Sequence, residues 1–297
     1  MKIPEIKIEY DLEKEVHQFL RALHNSNLPW LKNLVFETLP DLKNRLNNAI
    51  IQDKALEEKI IRDFIVDFRN KHQRKIQDIE EKSQKLLAEK SAVALKELTC
   101  LMDYQWPENQ PDYTVIPTIL PNSPFEDNVF YYSILGEIYG DPNSKDVVFW
   151  SIHEISHLIL FDLLKKDSSA QSLDWVLIYY LKEILAAVLM TQEPLMEIID
   201  AKNYLGNPDL HQIYIYDQTK NKKMPITLFF KDIYEQWRYT KNKQFGDILD
   251  YFIGIIIEWS DELKEKFAIW NQFGLQTVKN KEILIKYQEP IRFNGKN

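Results

Sequence analysis

His153, Glu154 and His157 carry the chemistry most readily read from this chain. They stand in the run His153-Glu154-Ile155-Ser156-His157, an H-E-x-x-H pattern inside an apolar stretch. Side chains four apart on an α-helix share one face, so both imidazoles can reach one metal ion. Glu154, next to the first imidazole, then sits beside a water held by that ion, where a general base belongs. The pattern needs a helix, and the flanks supply one. Val147-Val148-Phe149-Trp150 before and Leu158-Ile159-Leu160-Phe161 after contain no breaker, and Ser144 or Asp146 can cap the start. The helix is predicted to run to about Lys166. Two His and a Glu within it are costly to bury unless partners satisfy them.

A metal that keeps one position open for water takes three protein ligands. Leu160 and Leu163 stand where a spacer Gly and a third His would follow the second ligand, which argues against a metzincin. Asp162 lies about 140° round the helix from His157 and points elsewhere unless the helix breaks. Glu183 is the better candidate, because it is embedded in the long apolar run Trp175 to Met190 with only Lys182 beside it. A lone carboxylate there wants a cation. Glu193 and Glu197, beyond a break near Pro194, are the fallback ligands.

This combination resembles the gluzincins, H-E-x-x-H zinc peptidases whose third ligand is a Glu on a second helix. The resemblance spans His153 to about Met190. Ala186 and Ala187 occupy the places where that family has a small residue that lets the two helices approach, while Lys182 replaces its frequent Asn. The resemblance implies Zn²⁺ held by His153, His157 and Glu183, with Glu154 passing a proton from the attacking water to the leaving amine of a peptide. It also implies an oxyanion donor downstream. His211, Tyr214, Tyr234 and Tyr239 are eligible by position, and the sequence does not rank them. Two other readings stay open: a non-catalytic helical interaction or regulatory protein with a retained zinc site, and a zinc hydrolase of a non-peptide substrate.

The surrounding elements read as α+β, mainly α: a zincin-like core with a small sheet beside the H-E-x-x-H helix, flanked by helical N- and C-terminal regions. Residues 113–120 and 129–135 are rich in β-branched and aromatic residues and bounded by turn signals, so both read as strands. Pro117 confines the first to an edge or a bulge. The second is a candidate rail for an extended peptide. Residues 1–106 read as a helical region with a stripe through Leu56, Ile60, Phe64 and Phe68, continued at roughly heptad spacing by Ile76, Ile79, Leu86 and Val93. A Pro and Asn cluster at 106–111 separates this region from a metal-binding core over 107–200. The remainder, 201–297, reads as mainly helical, with helices at 226–239 and 246–271. Gly246 and Gly254 are expected to be close-approach points of the second.

Composition narrows the function classes. The 297 residues are 45% hydrophobic, enough for a sizeable core. A formal net charge of −8 disfavours nucleic acid and anionic membranes, and Lys220 to Lys223 reads as a solvated loop. Cys100, the single cysteine, permits no internal disulfide and no Cys-based metal site. With 7 Gly and no glycine-rich loop, nucleotide-binding fingerprints are absent. No run reads as a membrane span or signal peptide, because the apolar run 173–190 carries Asp174, Lys182 and Glu183. The expected location is cytoplasmic and the expected partner is a peptide or protein substrate.

Overall fold

The computed structural model describes residues 2–48, 54–166 and 169–295. It is mainly helical with two small sheets. The chain divides into two compact units, one formed by Lys2–Ala92 with Pro107–Ser151, the other by Val93–Trp106 with the chain from Ile152 onward.

The first unit holds β1 (Ile6–Ile8), α1 (Leu12–His24), α2 (Trp30–Thr38), α3 (Pro40–Asn48), α4 (Lys54–Lys71) and the first part of α5 (Gln73–Leu101). β2 (Tyr113–Thr118), β3 (Phe125–Glu126), β4 (Val129–Ser133), α6 (Leu135–Tyr139) and the start of α7 (Val147–Leu164) complete it. Its sheet runs β1-β2-β4-β3, with β2 parallel to both neighbours. Pro117 pairs with Tyr132 of β4 beyond the last β1 pair, Ile8 with Val115, so one flank of β2 is unpaired by strand where the proline sits. β3 covers Val129 and Phe130, and Tyr131 N donates to Pro124 O at 2.8 Å, which restricts the open flank of β4 to its last two residues. The predicted rail is therefore shorter than its sequence pattern.

The helical stripe is displaced by about one residue. Leu56 is exposed, and the buried face of α4 is Ile61, Phe64, Ile65 and Phe68. In α5 the buried positions after Ile76 and Ile79 include Ser83, Leu87, Ala94, Leu95 and Leu98, while Val93 is 51% exposed. Each strict seven-residue step turns back about 20° on a straight α-helix, so a heptad reading slides off the face that packs.

The second unit contains the rest of α7, a 3₁₀ turn at Ser169–Ser172, α8 (Trp175–Met190), α9 (Leu195–Ile198), β5 (Tyr214–Asp217), β6 (Lys222–Pro225) and α10 (Ile226–Glu235). A π-helical turn at Gln236–Thr240 leads to α11 (Phe245–Glu258), α12 (Ser260–Phe273), α13 (Gln276–Lys279), α14 (Lys281–Tyr287) and β7 (Ile291–Phe293). The second sheet, β6-β5-β7, mixes an antiparallel and a parallel pair. β6 begins inside the lysine-rich stretch read as a loop, and Lys222 and Lys223 are both exposed there. α8 is the central element, with α10, α11 and α12 all packed on it. Its apolar character on every face is that of a helix surrounded by protein.

The helix predicted over 246–271 is two helices, broken at Trp259 (φ −96°, ψ 17°). Trp259 is buried against Phe229, Phe230 and Phe293, and the acidic Asp261 and Glu262 open the next helix, where the helix dipole favours them. Gly246 and Gly254 are not close-approach points. Both are exposed, and a Cβ at either would meet nothing within 4 Å. α7 is long and apolar enough to cross a membrane by length and composition, contrary to the sequence reading, but 67% of it is buried within the protein. That burial is what a core helix requires.

Candidate metal centre

Two helices, α7 and α8, bring the donor atoms together, and all of those atoms lie in the second unit. The Asp146 carboxylate accepts from Phe149 N at 3.0 Å at the start of α7, the capping role expected from the sequence. The helix then presents His153 and His157 on one face, with Nε2 atoms 3.0 Å apart. α8 starts at Asp174, whose side chain accepts from Val176 N and Leu177 N. Two turns later it delivers Glu183, with Oε2 3.4 Å from His153 Nε2 and Oε1 3.6 Å from His157 Nε2. Among the described residues, no other group of His, Cys, Asp or Glu converges in this way.

These separations fit a metal. A tetrahedral ion with bonds of about 2.0–2.1 Å holds neighbouring ligand atoms about 3.3–3.4 Å apart, close to the 3.0 Å between the two imidazole nitrogens and to the 3.4 and 3.6 Å from them to the two oxygens of Glu183. Glu183 Oε2 is also buried without a hydrogen-bond partner among the described residues, a costly state for a carboxylate oxygen unless a cation takes it. The group formed by His153, His157 and Glu183 could therefore hold a metal ion.

The electrostatics follow from burial. Relative exposures are 2% for His153, 4% for Glu154, 1% for His157 and 3% for Glu183. Desolvation, with the Lys182 charge second, pulls the His157 pKa well below the usual imidazole value and keeps the ring neutral, as a metal requires. Desolvation pushes Glu183 up, but Lys182, His157 and His153 more than offset it and hold the carboxyl ionised, well below its ordinary value. Lys182 Nζ donates directly to Glu183 Oε1. For Glu154, with Oε1 4.0 Å from His153 Nε2, burial outweighs the opposing charges of His153 and Lys182 and raises its carboxyl to about 7.

The other candidates lie elsewhere. Asp162 accepts from Tyr104 OH at 3.1 Å and Lys166 Nζ at 2.9 Å, on the side of α7 that the helical angle assigned to it. Glu193 and Glu197 are exposed. His211 Nε2 is 2.9 Å from Gly206 O, Tyr234 OH donates to Leu101 O, and Tyr239 OH donates to Gln192 Oε1. Tyr214 lies on β5 with Lys223 over its ring.

The sequence reading overlooked Tyr204, whose hydroxyl is 3.3 Å from His153 Nδ1. With His153 Nε2 given to a metal, Nδ1 carries the proton and donates it to the Tyr204 oxygen, which fixes the ring and its tautomer. Burial, reinforced by the Glu183 and Glu154 charges, keeps this phenol protonated. Tyr204 sits in a loop with positive φ at Asn203 and Gly206. A Cβ at Gly206 would stand 2.8 Å from Leu210 Cδ1 and 3.4 Å from the Ala187 Cβ of α8, and its φ of +90° disfavours any other residue, so glycine admits this turn. Tyr179 OH donates to the buried Asp209 at 2.9 Å and anchors the far end of the same loop. Only the turn residues Asn203 to Pro208 were visible as a signal, and they mark a loop without saying where it docks.

Comparison of the chain with protein-family models, with curated proteins and with solved structures finds no match.

Proposed function

We propose that the protein is a zinc-dependent hydrolase of gluzincin type that cleaves peptide bonds. The observation that carries this reading is the convergence of two imidazole nitrogens and the Glu183 carboxylate, one oxygen of which is buried without a hydrogen bond among the described residues, with a second carboxylate alongside. His153 and His157 would hold the ion through Nε2 and Glu183 through its carboxylate. When bound, zinc supplies Lewis acidity toward a substrate carbonyl and lowers the pKa of a water it binds to about 7.

Glu154 is the group left to move protons. It is not needed as a ligand, and its carboxyl, raised to about 7 by burial, would be brought down by a divalent cation beside it. It is then ionised at neutral pH, able to accept the proton of the attacking water and return it to the leaving amine. Tyr204 would hold His153 in the ligating tautomer. A zincin-like core and a cytoplasmic location belong to the same proposal. The core rests on the pairing of an H-E-x-x-H helix with a Glu-bearing helix, the location on a single, exposed cysteine, Cys100.

A second reading, a metal-free or non-catalytic buried cluster, draws on one observation: Lys182 already neutralises Glu183. Metal analysis of the purified protein beside His153→Ala, His157→Ala and Glu183→Ala separates the two. About one zinc per chain in the wild type and none in the variants supports the hydrolase, and a peptide-library assay then tests turnover. No zinc after reconstitution of stripped protein sinks it.

A further inference from the structure

Lys182 stands in the site without a part in that scheme. It precedes Glu183 on α8, about 100° away round the helix, so its ammonium reaches the carboxylate by folding back along the helix surface, with Nζ 5.5 Å from the Tyr179 ring centre. The side chain is 16% exposed, and its ammonium donates to Glu183 Oε1, an oxygen of the third candidate ligand. Its charge acts on Glu154, His157 and Glu183 alike.

A carboxylate buried to this degree needs a counter-ion, and without a metal Lys182 is that counter-ion. A divalent ion on the same carboxylate takes over the role. Two cations then face one carboxylate in a poorly solvated site, where like charges are little screened. The hydrogen bond to Oε1 could instead help by orienting the ligand, a contribution worth roughly 10–100-fold in affinity. Repulsion between a divalent ion and an ammonium a few ångströms away, at an effective dielectric constant of about 20, exceeds that.

We propose that Lys182 is a built-in competitor of the metal for Glu183, which sets zinc affinity below that of the two His and one Glu alone and makes occupancy responsive to the free zinc level. The proposal rests on the metal-site reading above. It gives Lys182 opposite effects on two quantities: it stabilises the metal-free protein and weakens its hold on zinc.

The test compares wild type with Lys182→Met, which removes charge and donor, and Lys182→Gln, which keeps a donor without charge. Each protein is stripped with a chelator, titrated with Zn²⁺ in competition with a chromophoric chelator, and melted with and without Zn²⁺. Both variants are expected to bind zinc at least about tenfold more tightly than wild type, to melt lower when metal-free, and to gain more on adding zinc. Zinc bound by the variants but not by wild type would be the same result in stronger form. Unchanged or weaker affinity in both variants overturns the proposal. So does weaker binding in the Met variant restored by Gln, which would make Lys182 an orienting residue. If none of the three proteins takes up zinc, the metal reading itself fails, whereas a zinc-binding wild type with no gain in the variants sinks only the competition.

Discussion

Replacing Glu154 by Gln exchanges a buried ionisable carboxyl for a neutral amide of similar size, and the effect on the metal-free protein follows from burial. The carboxyl has a pKa of about 7 in the folded chain against an ordinary 4.5. Between those values the folded protein retains a proton that the unfolded chain releases, so this group's contribution to stability falls as pH rises. At about 1.4 kcal/mol per pH unit the loss approaches about 3 kcal/mol by pH 8. Gln does not titrate. Relative to wild type, metal-free Glu154→Gln should therefore gain about 3 kcal/mol between pH 4.5 and pH 8. Urea unfolding at both pH values, with a chelator present, measures this gain. The same variant should bind zinc with wild-type stoichiometry and lose at least about 10²-fold in turnover. A stability difference that does not change with pH would refute the burial argument, and loss of zinc would make Glu154 a ligand.

Tyr204→Phe should weaken zinc binding roughly 10–100-fold while costing the metal-free protein about 1 kcal/mol or less; unchanged affinity in a competition titration would mean that the phenol does not orient His153. Asp209, raised to about 7 from 3.8 by burial and the Glu183 charge, contributes stability that is lost as pH rises from about 4 to 7. Asp209→Asn removes that slope, up to about 4 kcal/mol, and denaturation curves at pH 4.5 and 7.5 that shift equally in both proteins would contradict it. Gly254→Ala, at an exposed helical position with open space for the Cβ, should raise stability by about 0.5–1 kcal/mol, read as a higher denaturation midpoint at unchanged slope.

The contacts that a regular helix alone determines were legible in the sequence. His153 and His157 share a face because they are four residues apart, Asp162 turns away because five residues make an angle of about 140°, and Asp146 caps because it precedes an unbroken apolar run. Glu183 was legible for a different reason: a carboxylate in an apolar helix must find a cation, and that requirement follows from solvation rather than from contacts. The same solvation argument left its partner open between the two imidazoles and Lys182, and only the tertiary structure places all three around it.

Tertiary structure also decided what periodicity could not. The heptad reading of α5 failed at Val93 because the packed face follows the 3.6-residue period, and the register of that face is set by its neighbours. The break at Trp259 depends on burying one indole against Phe229, Phe230 and Phe293, residues from two other elements. Tyr204 and Asp209 belong to a loop that turns at Gly206 and is held to α8 by the hydrogen bond from Tyr179 to Asp209. Local residue spacing determined which groups on one helix could act together. Which groups from elsewhere in the chain join them depended on long-range burial, to which no short window of sequence is sensitive.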